Sequence, residues 1–170
     1  MKKATGYRQE HDSIGERAVP EQAYYGIQTL RAVENFCITR QRTHPALIES
    51  MVQVKKAAAL AKLAAGERDE NRSNAIAAAC DEILGGALHD EFIVDPVQGG
   101  AGTSLNMNAN EVIANRAIEL LGGEKGNYAL VSPNDHVNLG QSTNDVFPSA
   151  GRMAARRLLC TARIRLQALE

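Results

Sequence analysis

Tryptophan is absent from these 170 residues, and aromatic side chains make up only 4% of them. The apolar fraction is nevertheless 44%, much of it Ala, which favours closely packed helices over a sheet core. Net charge is almost absent too, at −1, so nothing electrostatic points to nucleic acid or an anionic membrane. No apolar run is long enough to span a bilayer, and none follows the two lysines of the opening MKKATGYRQE, which excludes a signal peptide there. Cysteine is scarce. Cys37, Cys80 and Cys160 are odd in number, widely spaced and outside any Cys-x-x-Cys, so they read as buried free thiols in a reducing cytoplasm. His11, His44, His89 and His136 have no metal-ligand spacing, and neither a Gly-x-Ser-x-Gly elbow nor a Walker-type loop occurs. Small soluble partners are the default that remains.

What is present is helical periodicity. The polar stretch 7–20, with Gly15, reads as a short hairpin or an extended arm. A first helix is expected from Tyr24 through Phe36. A second runs from Pro45 to Ala65, with Leu47, Met51, Val54, Ala58, Ala61 and Ala65 as its apolar stripe. A third carries Ile76, Ala79 or Cys80, and Ile83, with Ser73 or Asn74 available as its cap and Gly85-Gly86 as its stop. A fourth runs from near Asn106 through Val112, Ile113, Ala117 and Leu120 to Gly122-Gly123. The last begins after Asn144-Asp145, with the stripe Ala150, Ala154, Leu158, Ala162, Leu166 and Leu169. No stop signal follows it, so the expectation is a long helix cut short, its apolar face meant for partner helices and its five arginines solvated.

Two segments carry polar chemistry. The first is Gln98-Gly99-Gly100-Ala101-Gly102-Thr103-Ser104, whose glycines let backbone N–H groups approach a ligand. Thr103 and Ser104 then open a helix, where unpaired N–H groups favour an anion. The second runs from Ser132-Pro133-Asn134-Asp135-His136 to Gln141-Ser142-Thr143-Asn144-Asp145. Each cluster alone is read more simply as a helix cap. Two of them, both opening helices, point to a composite anion site made of hydroxyls, an amide and helix N–H groups, without Lys or Arg.

At these residues the sequence resembles the aspartase/fumarase superfamily, and within it the aspartate ammonia-lyases. The resemblance spans nearly the whole chain. It rests on Glu10-His11-Asp12-Ser13-Ile14-Gly15, Tyr24-Tyr25-Gly26-Ile27-Gln28-Thr29-Leu30-Arg31-Ala32-Val33-Glu34-Asn35-Phe36, the run Gly99–Glu111, and Gln141-Ser142-Thr143-Asn144-Asp145. The Tyr24-Tyr25-Gly26 start and His136 look like the ammonia-lyase branch rather than the class II fumarases.

The resemblance implies a mainly α fold: an N-terminal helical domain over 1–143, then the start of a central helical bundle over 144–170. It implies anti elimination of ammonia from L-aspartate to give fumarate through an aci-carboxylate, without a cofactor or metal, in a cytoplasmic homotetramer. By carry-over, Thr103, Ser142 and Thr143 hold the β-carboxylate, and Thr103 with Asn144 contacts the amino group. Asn134 and Asp135 are candidates for an accessory anion site, although Ser132 stands where fumarases carry His. The Ser-Ser-x-Met-Pro-x-Lys-x-Asn loop that supplies the serine base is missing. Lys125-Gly126-Asn127 matches only its end, and Arg42-Thr43-His44 lies in the wrong region for the middle-domain Thr/His segment. No catalytic base is therefore expected in this chain, which is expected to be inactive alone. The rival readings are a fragment of a class II fumarate hydratase and a non-catalytic protein that docks on full-length lyase subunits.

Overall fold

The computed structural model describes residues 6–66 and 69–167. The chain begins with a two-stranded antiparallel hairpin, β1 (Tyr7–Asp12) and β2 (Gly15–Pro20), in the register Tyr7↔Pro20 to Asp12↔Gly15. Asp12 closes the turn by accepting the Ile14 N–H at 3.0 Å, and Gly15 supplies the positive φ of +129° that the turn requires. Arg8 helps to tie the hairpin down: it pairs with Glu10 at 2.8 Å and donates to the carbonyls of Pro20, Ala23 and Tyr25.

Five α-helices follow: α1 (Ile27–Asn35), α2 (Pro45–Ala64), α3 (Glu70–Leu84), α4 (Thr103–Leu120) and α5 (Thr143–Gln167). A short turn, His89–Glu91, precedes α4, and a one-turn π-type segment, Pro133–Val137, precedes α5. Helix α4 is the axis of the domain. Thirteen of its residues are buried, seven of them apolar, including Leu105, Val112, Ile113, Ala117 and Ile118, and six polar, so it is enclosed nearly all round, as a central helix must be. Around it pack α1 and α3, while α2 lies between α3 and α5.

Several expectations need correction. Helix α1 starts at Ile27 rather than Tyr24, because residues 20–25 are held in an irregular path by Arg8. On α2 the buried residues are Ile48, Ser50, Met51, Val52, Lys55 and Ala59, whereas Ala61 and Ala65 are exposed. The buried face is rotated because Lys55, polar by type, points inward. The cap of α3 is Asp69, which accepts the Arg72 N–H at 2.8 Å; Ser73 is fully buried inside the helix. Helix α4 begins three residues before Asn106, and its Leu120 is 40% exposed. Helix α5 begins at Thr143, two residues before Asp145. Only Cys80 is a buried thiol, pushed up to about 12 by burial; Cys37 and Cys160 are exposed.

On α5, Ala150 and Ala154 are buried against the domain, but Leu158, Leu159, Ile164 and Leu166 are exposed, as are all five arginines. Leu169, the last residue of the expected stripe, and the opening lysines lie outside the described residues. No helix among the described residues is long and apolar enough to cross a membrane.

Candidate functional site

Helix α4 owes its place to its polar residues as much as to its apolar ones. Glu111, buried in its middle, accepts the N–H groups of Gly26 (2.9 Å), Gln28 (2.8 Å) and Thr29 (3.0 Å), together with the Thr29 hydroxyl. These are the orphan donors at the start of α1, so α4 caps α1 through space. Burial pushes the Glu111 carboxyl up to about 7, against the opposing pull of those four donors. Glu10 adds a second acceptor, taking the Ile27 N–H at 2.9 Å and the Tyr128 hydroxyl at 3.0 Å. Asn108 and Asn115 fasten the loops on either side, each through both its amide oxygen and its amide nitrogen.

That frame fixes where the two polar segments meet. Gly102 precedes α4 with φ +85°, and a Cβ there would collide with the ring of Phe147, on the first turn and a half of α5. Asn106, one turn into α4, donates from Nδ2 to the Thr143 hydroxyl oxygen at 3.1 Å. The N-termini of α4 and α5 are thus packed side by side. Two helix starts in contact concentrate unpaired N–H groups and the positive ends of two dipoles.

Thr103 is the first residue of α4, exposed, and lines a cleft of about 390 Å³ with Arg31, Phe36, Gly99 and Gly100. Arg31 is not a free cation there: it makes a two-point pair with Asp12 at 2.7 and 2.9 Å, and this hydrogen bonding holds the Asp12 carboxyl below its ordinary range. Ser142 caps α5, its carbonyl accepting from Val146 and its hydroxyl from the Asn144 N–H at 3.3 Å. Thr143 and Asn144 form the first turn, Thr143 half-buried and Asn144 exposed.

Asn134 and Asp135 sit apart from this pair, in the turn before α5. Asn134 lines a second cleft, of about 330 Å³, with His11, Ser13, Gln28 and Ser132. Asp135 is engaged by Ser132, whose hydroxyl donates to its carboxylate at 2.8 Å and accepts its N–H at 3.1 Å. Among the described residues no group of three or more His, Cys, Asp or Glu side chains could hold a metal ion.

Behind Thr143 lies a group that periodicity did not single out. Lys55 is fully buried on α2, and its Nζ donates to Asn138 Oδ1 at 2.7 Å. Burial lowers its pKa to about 7. Asn138 Oδ1 also receives Asn106 Nδ2 at 3.3 Å, so a continuous network runs from Lys55 to Thr143. A lysine one turn from both Met51 and Ala59, in the middle of an apolar face, is the sequence signal that could have shown it.

A glycine-rich turn and a hydroxyl-rich turn open two adjacent helices of a mainly helical fold of the lyase type. The chain belongs to the lyase family, whose model matches residues 15–168. Within that family it is similar to an aspartate ammonia-lyase of a Bacillus species, 58% identical over 155 residues, which are 91% of this chain and 33% of that protein. Among solved structures it is similar to a fumarate lyase:delta crystallin from Brucella melitensis, with TM-score 0.86 and 55% identity over 87% of this chain and 34% of that one. A recombinant class II fumarase from Schistosoma mansoni follows, with TM-score 0.82 and 38% identity over 87% of this chain and 31% of that one. The chain therefore spans about a third of the length of the relatives it matches.

Proposed function

We propose that this chain is the portion of an aspartate ammonia-lyase that supplies part of the substrate carboxylate site. The observation that carries the reading is the side-by-side packing of the α4 and α5 N-termini, through Gly102 against Phe147 and Asn106 on Thr143. In this reading Thr103, Ser142 and Thr143 bind the β-carboxylate, and Thr103 with Asn144 contacts the amino group. Removing the proton beside the β-carboxylate leaves a doubly charged aci-carboxylate. Preorganised hydroxyl and N–H donors stabilise it, each worth about 3 kcal/mol where such donors have been removed from other enzymes. Asn134 and Asp135 form an accessory anion site at most in part, because Asp135 is already bound to Ser132.

These 170 residues contain no Ser-Ser-x-Met-Pro-x-Lys-x-Asn segment, so the base comes from elsewhere in the assembled enzyme and the chain alone does not turn over substrate. The region from 144 onward begins the central bundle, and its exposed apolar side chains are covered by helices of a cytoplasmic homotetramer. The test is to exchange this chain for the matching segment of the Bacillus aspartate ammonia-lyase. The joined enzyme releases fumarate from aspartate and the isolated chain does not. Conversion of malate instead of aspartate by the joined enzyme assigns the chain to the hydratases, a reading that its likeness to the Schistosoma fumarase keeps in view.

A further inference from the structure

Thr143 has a hydroxyl that can donate one hydrogen bond and accept others, and a carboxylate can only accept. Thr143 therefore serves a carboxylate only if its proton points toward the ligand. What sets that direction is a chain of side chains, each of which fixes the orientation of the next.

The anchor is Lys55. Its Nζ donates to the amide oxygen of Asn138, 2.7 Å away. The other end of Asn138 agrees, since its Nδ2 donates to the Gln141 carbonyl, an acceptor only, at 3.1 Å. With Asn138 Oδ1 fixed, the Asn106 atom facing it at 3.3 Å must be the amide nitrogen. That same nitrogen lies 3.1 Å from Thr143 Oγ1, which accepts from it. The Asn106 carbonyl oxygen is buried without a partner among the described residues, so no donor of its own turns the amide. Asn106 is held by its acceptors alone. With an N–H occupying one lone pair of Thr143 Oγ1, the hydroxyl proton is turned away from the interior, and among the described residues it donates to nothing.

We propose that Asn106 is a positioning residue that, oriented by Asn138 and Lys55, fixes the Thr143 hydroxyl as a donor toward the substrate carboxylate. The inference rests on the carboxylate-site reading above and adds a residue to it that does not itself touch the ligand.

The test uses the joined enzyme with Asn106→Ala, Asn106→Asp and Thr143→Val, singly and combined. It reads kcat and KM for aspartate and the affinity for succinate as a dicarboxylate probe. An Asp at 106 has nearly the shape of Asn but accepts the Thr143 proton and turns it inward. Asn106→Asp is therefore expected to lower kcat/KM by about a hundredfold, the low end of what loss of one such donor costs, and Asn106→Ala, which leaves the hydroxyl free to turn, by only about tenfold. On a Thr143→Val background neither change has a further effect beyond about twofold, because the hydroxyl through which Asn106 acts is gone. A role in packing alone reverses the order, with the isosteric Asp milder than Ala, and persists without Thr143; either result overturns the proposal. Should the Asn106 variants fail to assemble, Asn138→Asp and Asn138→Leu carry the same test. Asp keeps an acceptor for Lys55 and Asn106 and retains about tenfold more activity than Leu, and equal losses overturn the proposal. A wild-type joined enzyme that neither turns over aspartate nor binds succinate overturns the carboxylate-site reading, and this inference with it. A wild type that does both, with the variant order reversed, overturns the inference alone.

Discussion

Lys55 stands at the centre of the residue-scale argument, since a buried ammonium costs stability that something nearby has to offset. Here the offset is Asn138, at 2.7 Å. The unfolded chain keeps the lysine proton up to about 10.5, whereas the folded chain releases it near 7. Between those values the unfolded state binds more protons, so Lys55 makes folding more favourable as pH rises through that window. Denaturant unfolding of the wild type and Lys55→Met across pH 7 to 10.5 measures this. The wild type is expected to gain stability relative to Lys55→Met over that range, and a constant difference contradicts the assignment. Hydropathy passes over this residue, although its place between Met51 and Ala59 on an apolar face marks it. A lysine is scored as polar wherever it stands, and the partner that lets this one be buried lies 83 positions away. That Thr103, Ser142, Thr143 and Asn144 stand at helix starts was legible, because capping residues announce such starts within a few positions of themselves.

At the scale of elements, periodicity located all five helices and erred mainly at their ends, while the polar stretch 7–20, read as a hairpin or an extended arm, is the hairpin. The errors come from which capping group the fold supplies, and at α1 that group is distant in sequence. Helix α1 receives no side-chain cap from Gly26; its first N–H groups go to Glu10 and Glu111, from β1 and α4. Exchanging Glu111 for Gln turns an NH₂ toward at least one of those donors. Each buried group left without a partner costs about 1–3 kcal/mol, so Glu111→Gln is expected to lower the unfolding midpoint by several degrees. Hydrogen exchange checks the location: protection should fall first at Gly26, Gln28 and Thr29, and uniform loss across α3 and α5 contradicts the through-space cap. Helix α3 makes the same point locally, since Asp69 rather than Ser73 or Asn74 caps it. Several caps were on offer in one stretch, and burial of Ser73 decided among them.

For the molecule as a whole, α5 divides into two parts. The part through Arg157, which pairs with Glu49 at 2.8 Å, packs on α2, while the part beyond it carries exposed Leu158, Leu159, Ile164 and Leu166. Such a surface drives association when nothing covers it. Sedimentation of the isolated chain is expected to show a mass that rises with concentration, and Leu159→Glu with Ile164→Glu to suppress the rise. A concentration-independent monomer contradicts this. The family was legible at this scale because the resemblance runs over nearly the whole chain, from Glu10–Gly15 and Tyr24–Phe36 to Gly99–Glu111 and Gln141–Asp145. The contact between the last two segments was not, because it depends on the small volume of Gly102 beneath Phe147.

The carboxylate site formed by the two helix starts is the central claim, and Thr143→Val in the joined enzyme tests it most directly. Valine keeps the shape and removes only the hydroxyl that Asn106 orients. Fumarate release from aspartate is expected to fall by about a hundredfold or more, as it does when a transition-state donor is deleted, with assembly unchanged. Activity that survives intact in an assembled Thr143→Val enzyme would contradict the account.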